Sequence, residues 1–266
     1  MHSEWSYDTS PDASMARTCA QALEIGLPAV AFTEHLEFTS GGEGDAITGV
    51  AVDARWWSRI KPLDVPGYLA AIGECRERFP GLRILAGVEA GESHLFAGSA
   101  AAVIRSHDWD RILGSLHAVP YQGKLIAADA LFGRMPQDDA MRYYFAELLR
   151  LVDGSDMFEV LAHPDFPRRY WPSGAHRYQE KPYEDEYRTV FRALAASGRI
   201  MEINTKSPLS SVELISWWRE SGGRAVSFGS DAHLPGRVGD RFKLAVDIVE
   251  AAGFRPGRDQ YDFWRV

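Results

Sequence analysis

The chain is poor in cysteine, lacks any long apolar run and is short of positive charge, and each lack narrows what it can be. Its two cysteines, Cys19 and Cys75, both fall inside helical patterns. That excludes a disulfide framework and reads as two small buried side chains in a reducing compartment, which points to the cytoplasm. No stretch is apolar for long enough to span a bilayer, and the N-terminus carries no basic-then-apolar leader pattern. Lysine and arginine number 29 against 37 acidic residues, a formal net charge of −8. Bulk electrostatics therefore holds neither long nucleic acid nor a membrane surface, while a local basic pocket for a small anion stays compatible. Sequence repeats and low-complexity tracts are missing too.

What is present is an alternation of short β-branched runs and amphipathic helical patterns over a single domain, residues 1–266. Strands are expected near 29–33, 84–89, 111–116, 158–163, 199–204 and 225–230. Helices are expected near 13–26 (with Gly26 as C-cap), 66–79, 96–106, 138–152, 184–197, 211–221 and 241–252. Strands alternating with helices imply a parallel α/β sheet. Polar residues recur at the C-terminal ends of almost all these strands, the rim where a (β/α) barrel builds its site, whereas a doubly wound open sheet would gather them at one switch point. The segments 36–65 and 164–183 read as long loops of functional type.

Those strand-end residues are His35, Glu89, His117, His163, Asp231 and His233, and the opening stretch MHSEWSYDTS adds His2 and Asp8. A mixture of imidazoles and carboxylates suits Zn, Mn or Fe ions. In GSDAH, Asp231 and His233 are two apart and share one side of a strand. In LAHPD, Pro164 ends strand pairing just after His163. The remaining histidines, His94, His107 and His176, sit in helical or loop context and read as ordinary structural residues. The tryptophan pairs Trp56–Trp57 and Trp217–Trp218 read as packing residues.

Taken in order, HSEWSYD, AFTEH, GVEAG, GSLH, AHPD and GSDAH resemble the motifs of the PHP (polymerase and histidinol phosphatase) superfamily of metallo-phosphoesterases, over nearly the whole chain. The resemblance implies a distorted seven-stranded (β/α) barrel with two to three divalent ions. It groups Glu89, His117 and His163 around one ion, Asp8, His35 and His233 around another, and His2, Glu89 and Asp231 around a third, with Glu89 bridging. Glu34 stands where the family more often has aspartate and is not expected to touch metal. The family opens with a strand running into His-x-His. Here His2 fits the second histidine, so the first strand and first histidine are missing, and the expectation is that residue 1 is not the biological start. The competing expectation is a genuine short-started paralogue with a three-ligand or empty first metal site.

Within the superfamily, LAHPDFPRRYW, MEINTK and GSDAHLPGRVG look most like the histidinol-phosphatase branch. The implied reaction is hydrolysis of L-histidinol phosphate, a small phosphorylated substrate, by attack of a metal-bridging hydroxide. Arg168 or Arg169 is expected to hold phosphate oxygens through a guanidinium fork. Asp165 is a candidate to orient His163, to protonate the leaving alkoxide, or to cap a turn. Glu202 and Asn204 share a strand face and are candidates for binding the substrate amine, or equally for satisfied core polar groups. A PHP phosphoesterase acting on nucleotides or oligonucleotides, and a catalytically impaired binding module, are the alternative functions.

Overall fold

The computed structural model describes residues 1–53 and 57–266, so Trp56 lies outside the described residues. Seven strands make the main sheet in the order β1 (Ala29–Leu36), β3 (Arg83–Gly91), β4 (Arg111–Ser115), β7 (Val160–Leu161), β8 (Ile200–Asn204), β9 (Ala225–Gly229) and β10 (Trp264–Arg265). The first six run parallel, and β10 pairs antiparallel with β9. Helices α1 (Met15–Glu24), α2 (Val65–Arg78), α3 (Ala97–Ile104), α4 (Gln137–Gly154), α5 (Glu184–Ala196), α6 (Val212–Glu220) and α7 (Phe242–Ala251) lie between the strands. This is the parallel α/β alternation expected from the sequence. Among the described residues no helix is long and apolar enough to cross a membrane.

A second sheet was not anticipated. β2 (Ala51–Val52) pairs with β6 (Lys124–Ala127), which forms a hairpin with β5 (Ala118–Tyr121). The hairpin turn is Gln122–Gly123, with φ of 47° and 75°, the left-handed pair that matches strand twist in two-residue loops. Pro120, whose ring denies the ladder a donor, sits in an antiparallel pair with Leu125.

Alternation along the strands sorts core from site. Val30 and Phe32 of β1 and Ile84 and Ala86 of β3 pack against Met15, Cys19 and Ala22 of α1 and Tyr68, Ile72 and Cys75 of α2. His35 and Glu89, on the opposite parity, are direct register partners. A larger core joins α4 to α7, with Tyr144, Phe145, Leu148, Tyr187, Phe191 and Trp218 fully or almost fully buried. Trp217 belongs to that core, and Trp57 is buried in a smaller cluster with Phe96 and Leu125, so these three tryptophans pack. Helix starts are capped locally: Ser14, Asp64 and Ser211 accept from backbone N–H groups of their first turns. Gly26, at φ 78°, closes α1 in the left-handed conformation its sequence position foretold.

The N-terminus does not fray. Glu34, on the face of β1 opposite His35, is fully buried and accepts from the Ser3 N–H (3.0 Å), the Ser3 Oγ (2.5 Å) and the Ser6 Oγ (2.5 Å). Ser6 Oγ in turn accepts from the His35 N–H at 3.1 Å. Thr33 N–H donates to Met1 O (2.9 Å) and His2 N–H to Ala232 O (2.8 Å), so the first two residues sit between β1 and the segment following β9. Replacing Glu34 with Ala leaves these buried donors unpaired, at a cost of roughly 2–4 kcal/mol. Thermal unfolding of Glu34→Ala is expected to fall accordingly, with hydrogen exchange rising across residues 1–12 first. Unaltered exchange there would show that Glu34 is not the anchor.

Candidate metal centre

The anchored segment carries His2 and Asp8 to the strand ends, where eight side chains converge. His163 Nε2 lies 2.7 Å and His117 Nε2 3.2 Å from Glu89 Oε1, and the two imidazole nitrogens are 3.4 Å apart. On the second oxygen of the same carboxylate, His2 Nε2 sits 3.2 Å from Glu89 Oε2 and 3.3 Å from Asp231 Oδ1. Asp8 Oδ2 gathers the third group, 2.9 Å from His233 Nε2 and 3.5 Å from His35 Nε2. The His2 and His35 rings stack with centroids 4.1 Å apart. Three sets of donor atoms thus point inward at one another, with Glu89 shared by two.

These residues fit divalent ions. One nitrogen or oxygen from each of His2, His35 and His233, and likewise of His35, Glu89 and His117, lies within 4.8 Å of the others in its group. The donors are the hard-to-borderline nitrogens and oxygens that Zn, Mn and Fe accept. Asp8 Oδ1 is buried without a hydrogen-bond partner. Backbone strain falls at the same place: His163 and Asp231 hold φ of 22° and 46°, left-handed values unusual for residues with a Cβ.

The electrostatics are those of a cage balanced by opposite charges. Burial alone would push Glu89 up, but His163 beside it, with His117 and His2, holds its carboxyl well below the usual carboxylate range. Asp231 behaves likewise, burial being outweighed by His2 and Arg169. Burial would lower His35, yet Asp8, Glu37 and Glu89 lift it to about 10. His117 is raised above its ordinary value because Glu37 outweighs burial, whereas burial and the neighbouring His35 leave His2 lowered. Protons held on such imidazoles leave when an ion takes their place.

Behind the donors stands a layer that the sequence reading missed. Glu37 Oε1 is 2.6 Å from His117 Nδ1, which it orients, and lies 3.6 Å from His35 Nδ1, within ion-pair range but too far for a hydrogen bond. Its signal was present: Glu37 is two residues after His35 on the same strand parity. Glu92 Oε1 accepts from the His117 and Ala118 N–H groups at 2.6 and 2.8 Å. Burial first, and Glu37 next, push the Glu92 carboxyl up to about 8. No sequence pattern distinguishes Glu92 from a loop glutamate.

A cavity of about 400 Å³ opens above the donors. Arg169 reaches its wall, its Nη2 paired with Asp231 Oδ2 at 2.6 Å and its Nε donating to Ser207 Oγ. Lys206, also unforeseen, places Nζ 3.1 Å from His233 Nδ1 and 3.4 Å from Asp231 Oδ1. The other residues expected to act on substrate are turned elsewhere. Arg168 pairs with Asp165 Oδ2 (3.1 Å) and Glu180 Oε1 (2.9 Å), and Asp165 also accepts from the Tyr187 hydroxyl. Glu202 accepts from the His163 N–H at 2.9 Å and from Asn204 Nδ2 at 3.0 Å. Among the described lining residues, none of Asp165, Arg168, Glu202 and Asn204 faces the large cavity. The cause is local: the 3₁₀ turn Phe166–Tyr170 rotates consecutive arginines to opposite sides, and Glu202 is drawn beneath His163. His94 pairs with Glu147, His107 with Ser106 and His176 with Asp138, all away from the centre.

This fold has known counterparts. A histidinol-phosphatase of Lactococcus lactis subsp. lactis is 23% identical over 262 residues, covering 95% of this chain and 90% of that protein. A "probable histidinol-phosphatase" of Deinococcus radiodurans is 27% identical over 247 residues, covering 88% and 85%. The crystal structure of the Lactococcus histidinol phosphate phosphatase, complexed with Zn, L-histidinol and phosphate, superposes with a TM-score of 0.80 at 23% identity, over 96% of this chain and 92% of that one. The sequence profile of the PHP domain matches residues 1–206, and the chain belongs to the PHP domain family.

Proposed function

We propose that the protein is a metal-dependent phosphomonoesterase that hydrolyses L-histidinol phosphate to L-histidinol and phosphate. The observation that carries this reading is the sharing of Glu89 between two donor groups beneath a pocket that also presents Arg169 and Lys206. His2, Asp8, His35, Glu89, His117, His163, Asp231 and His233 would hold two to three divalent ions. Zinc is the ion in the Lactococcus relative's structure, and imidazole and carboxylate donors accept manganese or iron as well. Bound ions of this kind supply an acidified water and neutralise charge on a phosphoryl group.

The chain's own groups do the rest. Arg169 presents a planar fork to the non-bridging phosphate oxygens once Asp231 turns to metal, and Lys206 adds a mobile point charge. Asp165 and Arg168, bonded to each other, brace the turn that carries Arg169 and follows His163. Glu202 and Asn204 hold the His163 backbone from below, the satisfied-polar reading of these residues.

We also propose that the barrel takes a further parallel strand between β1 and β9. A cavity of about 90 Å³ lies there beneath Met1, lined by Ala29, Val30 and Ala31 on one side and Ser227, Phe228 and Gly229 on the other. Apolar residues preceding Met1 would fill it. A chain extended at Met1 by five apolar residues ending in histidine is expected to melt several degrees higher and to bind metal more tightly. An extension that leaves both unaltered would argue against the added strand.

Two measurements address the site. With Zn or Mn restored after chelation, the protein is expected to release phosphate from L-histidinol phosphate but not to cleave a simple phosphodiester. Arg169→Ala should then lose about 100-fold in kcat/KM, the scale of a lost charge-assisted phosphate contact. Turnover of the diester alone would move the protein to another branch of the family. Metal content separates the donors: Glu89→Gln should remove more than one ion per chain, His233→Asn about one. Equal losses would argue against a shared Glu89.

A further inference from the structure

The proposed function gives Arg169 and Lys206 their work without accounting for what holds two long, flexible side chains in place. Both lead to the short turn after β8, residues 205–207. Arg169 Nε donates to Ser207 Oγ at 2.5 Å, and Lys206 is the middle residue of the turn. Thr205 and Ser207 are buried, with Lys206 exposed between them. The turn is tied to its own strand: Asn204 Oδ1 accepts from the Lys206 and Ser207 N–H groups at 3.0 and 3.3 Å, and the Thr205 N–H donates to Gly229 O at 2.8 Å.

Two further bonds reach the turn from the corner that opens α7, one on each side of Lys206. Thr205 Oγ1 donates to Asp240 O at 2.6 Å, and Arg241 Nη2 donates to Ser207 O at 2.5 Å. Arg241 is an odd residue to find there. It is exposed, and its backbone is left-handed (φ 58°, ψ 12°), a conformation that glycine adopts freely and a residue with a Cβ resists. The corner is nevertheless fixed, because the Phe242 N–H donates to Gly239 O at 3.1 Å and the Ala245 N–H to Arg241 O at 3.0 Å. Among the described residues the bond to Ser207 O is the one hydrogen bond of the Arg241 guanidinium. It is charge-assisted, and it lands on the same residue whose hydroxyl holds Arg169.

Resting on the phosphomonoesterase reading, we propose that Arg241 is a positioning residue, which acts through Ser207 to fix the turn that aims Arg169 and Lys206 at the phosphate. Arg241 does not line the pocket, so its effect passes through the turn and not through substrate. The physical gain is pre-organisation. Arg169 and Lys206 each lose much rotamer freedom when they close on an anion, and a rigid turn bears part of that loss beforehand. Ser207 Oγ suits the task because it engages Nε and leaves the terminal nitrogens of Arg169 for phosphate oxygens.

The test uses the metal-loaded protein and reads melting temperature, affinity for inorganic phosphate and kcat/KM for L-histidinol phosphate. Arg241→Gly removes the guanidinium and relieves the left-handed backbone, so the melting temperature should stay within a few degrees of the parent. Phosphate affinity and kcat/KM should nevertheless each fall about 10-fold, the scale of one charge-assisted bond acting on placement. Arg241→Asn, at ease in the same conformation but too short to reach Ser207, should behave alike, and Arg241→Lys should recover part of the loss. In a Ser207→Ala background, where the link to Arg169 is already cut, Arg241→Gly should cost clearly less than in the parent. Parent-like affinity and turnover in Arg241→Gly would overturn the proposal, as would losses that are equal in both backgrounds. A parent that hydrolyses no monoester, while Arg241→Gly still weakens inorganic phosphate, would overturn the proposed reaction and leave the positioning role standing. A parent that binds no phosphate would overturn both.

Discussion

The buried Glu34 carboxylate is the constraint on which the rest of the centre depends. A carboxylate without solvent is costly unless donors surround it, and here Ser3 and Ser6 supply three donor groups. The exchange is mutual, because the same bonds give a chain end that would otherwise fray a single conformation. His2 and Asp8 sit on that end, and each belongs to a different donor group. The serine of the His-Ser pair therefore matters as much as the histidine. Ser6 extends the logic by linking Glu34 to the His35 backbone, so the outer face of β1 controls what the inner face presents.

Around this anchor the site gives up stability for placement. Left-handed backbone at His163, Asp231 and Glu92 costs about 1–3 kcal/mol each in residues with a Cβ. Carboxylates and imidazoles packed at hydrogen-bond distance offset one another's desolvation, which is why Glu89 and Asp231 stay ionised and His35 and His117 stay basic. Arg169 and Lys206 share Asp231 in the same arrangement. Both cations line the pocket, where the proposed function has them exchange this carboxylate for a phosphate.

How much of this was legible follows from the physics of each element. Strand period and helix period fixed six parallel strands and their helices to within a few residues, because burial of β-branched runs leaves a strong local signal. The convergence of the eight imidazole and carboxylate groups was legible because metal chemistry restricts residue type and strand ends restrict place; that they hold metal remains the proposal. Arg168 and Arg169 were indistinguishable as neighbours in sequence; only the handedness of a 3₁₀ turn separates them. Glu202 has the parity of a site residue, yet depth along the strand decides between substrate and backbone, and depth is a property of the assembled barrel. Glu37 could have been found from its two-residue spacing after His35. Glu92 and Lys206 could not, since their contacts with His117 and with His233 and Asp231 arise only when distant segments meet.

That division has a physical origin. Six of the eight residues proposed to hold metal stand in or just past the sheet strands, whose mutual positions are set by backbone hydrogen bonds and by register pairs such as His35 with Glu89. The rest of the pocket wall comes from the segments after those strands: Tyr170 from a 3₁₀ turn and Lys206 from the turn after β8. Loops vary in length and composition with little cost to the sheet beneath them. Resemblance at the strand ends therefore carries the chemistry of the reaction, while the identity of the alcohol is written in the loops.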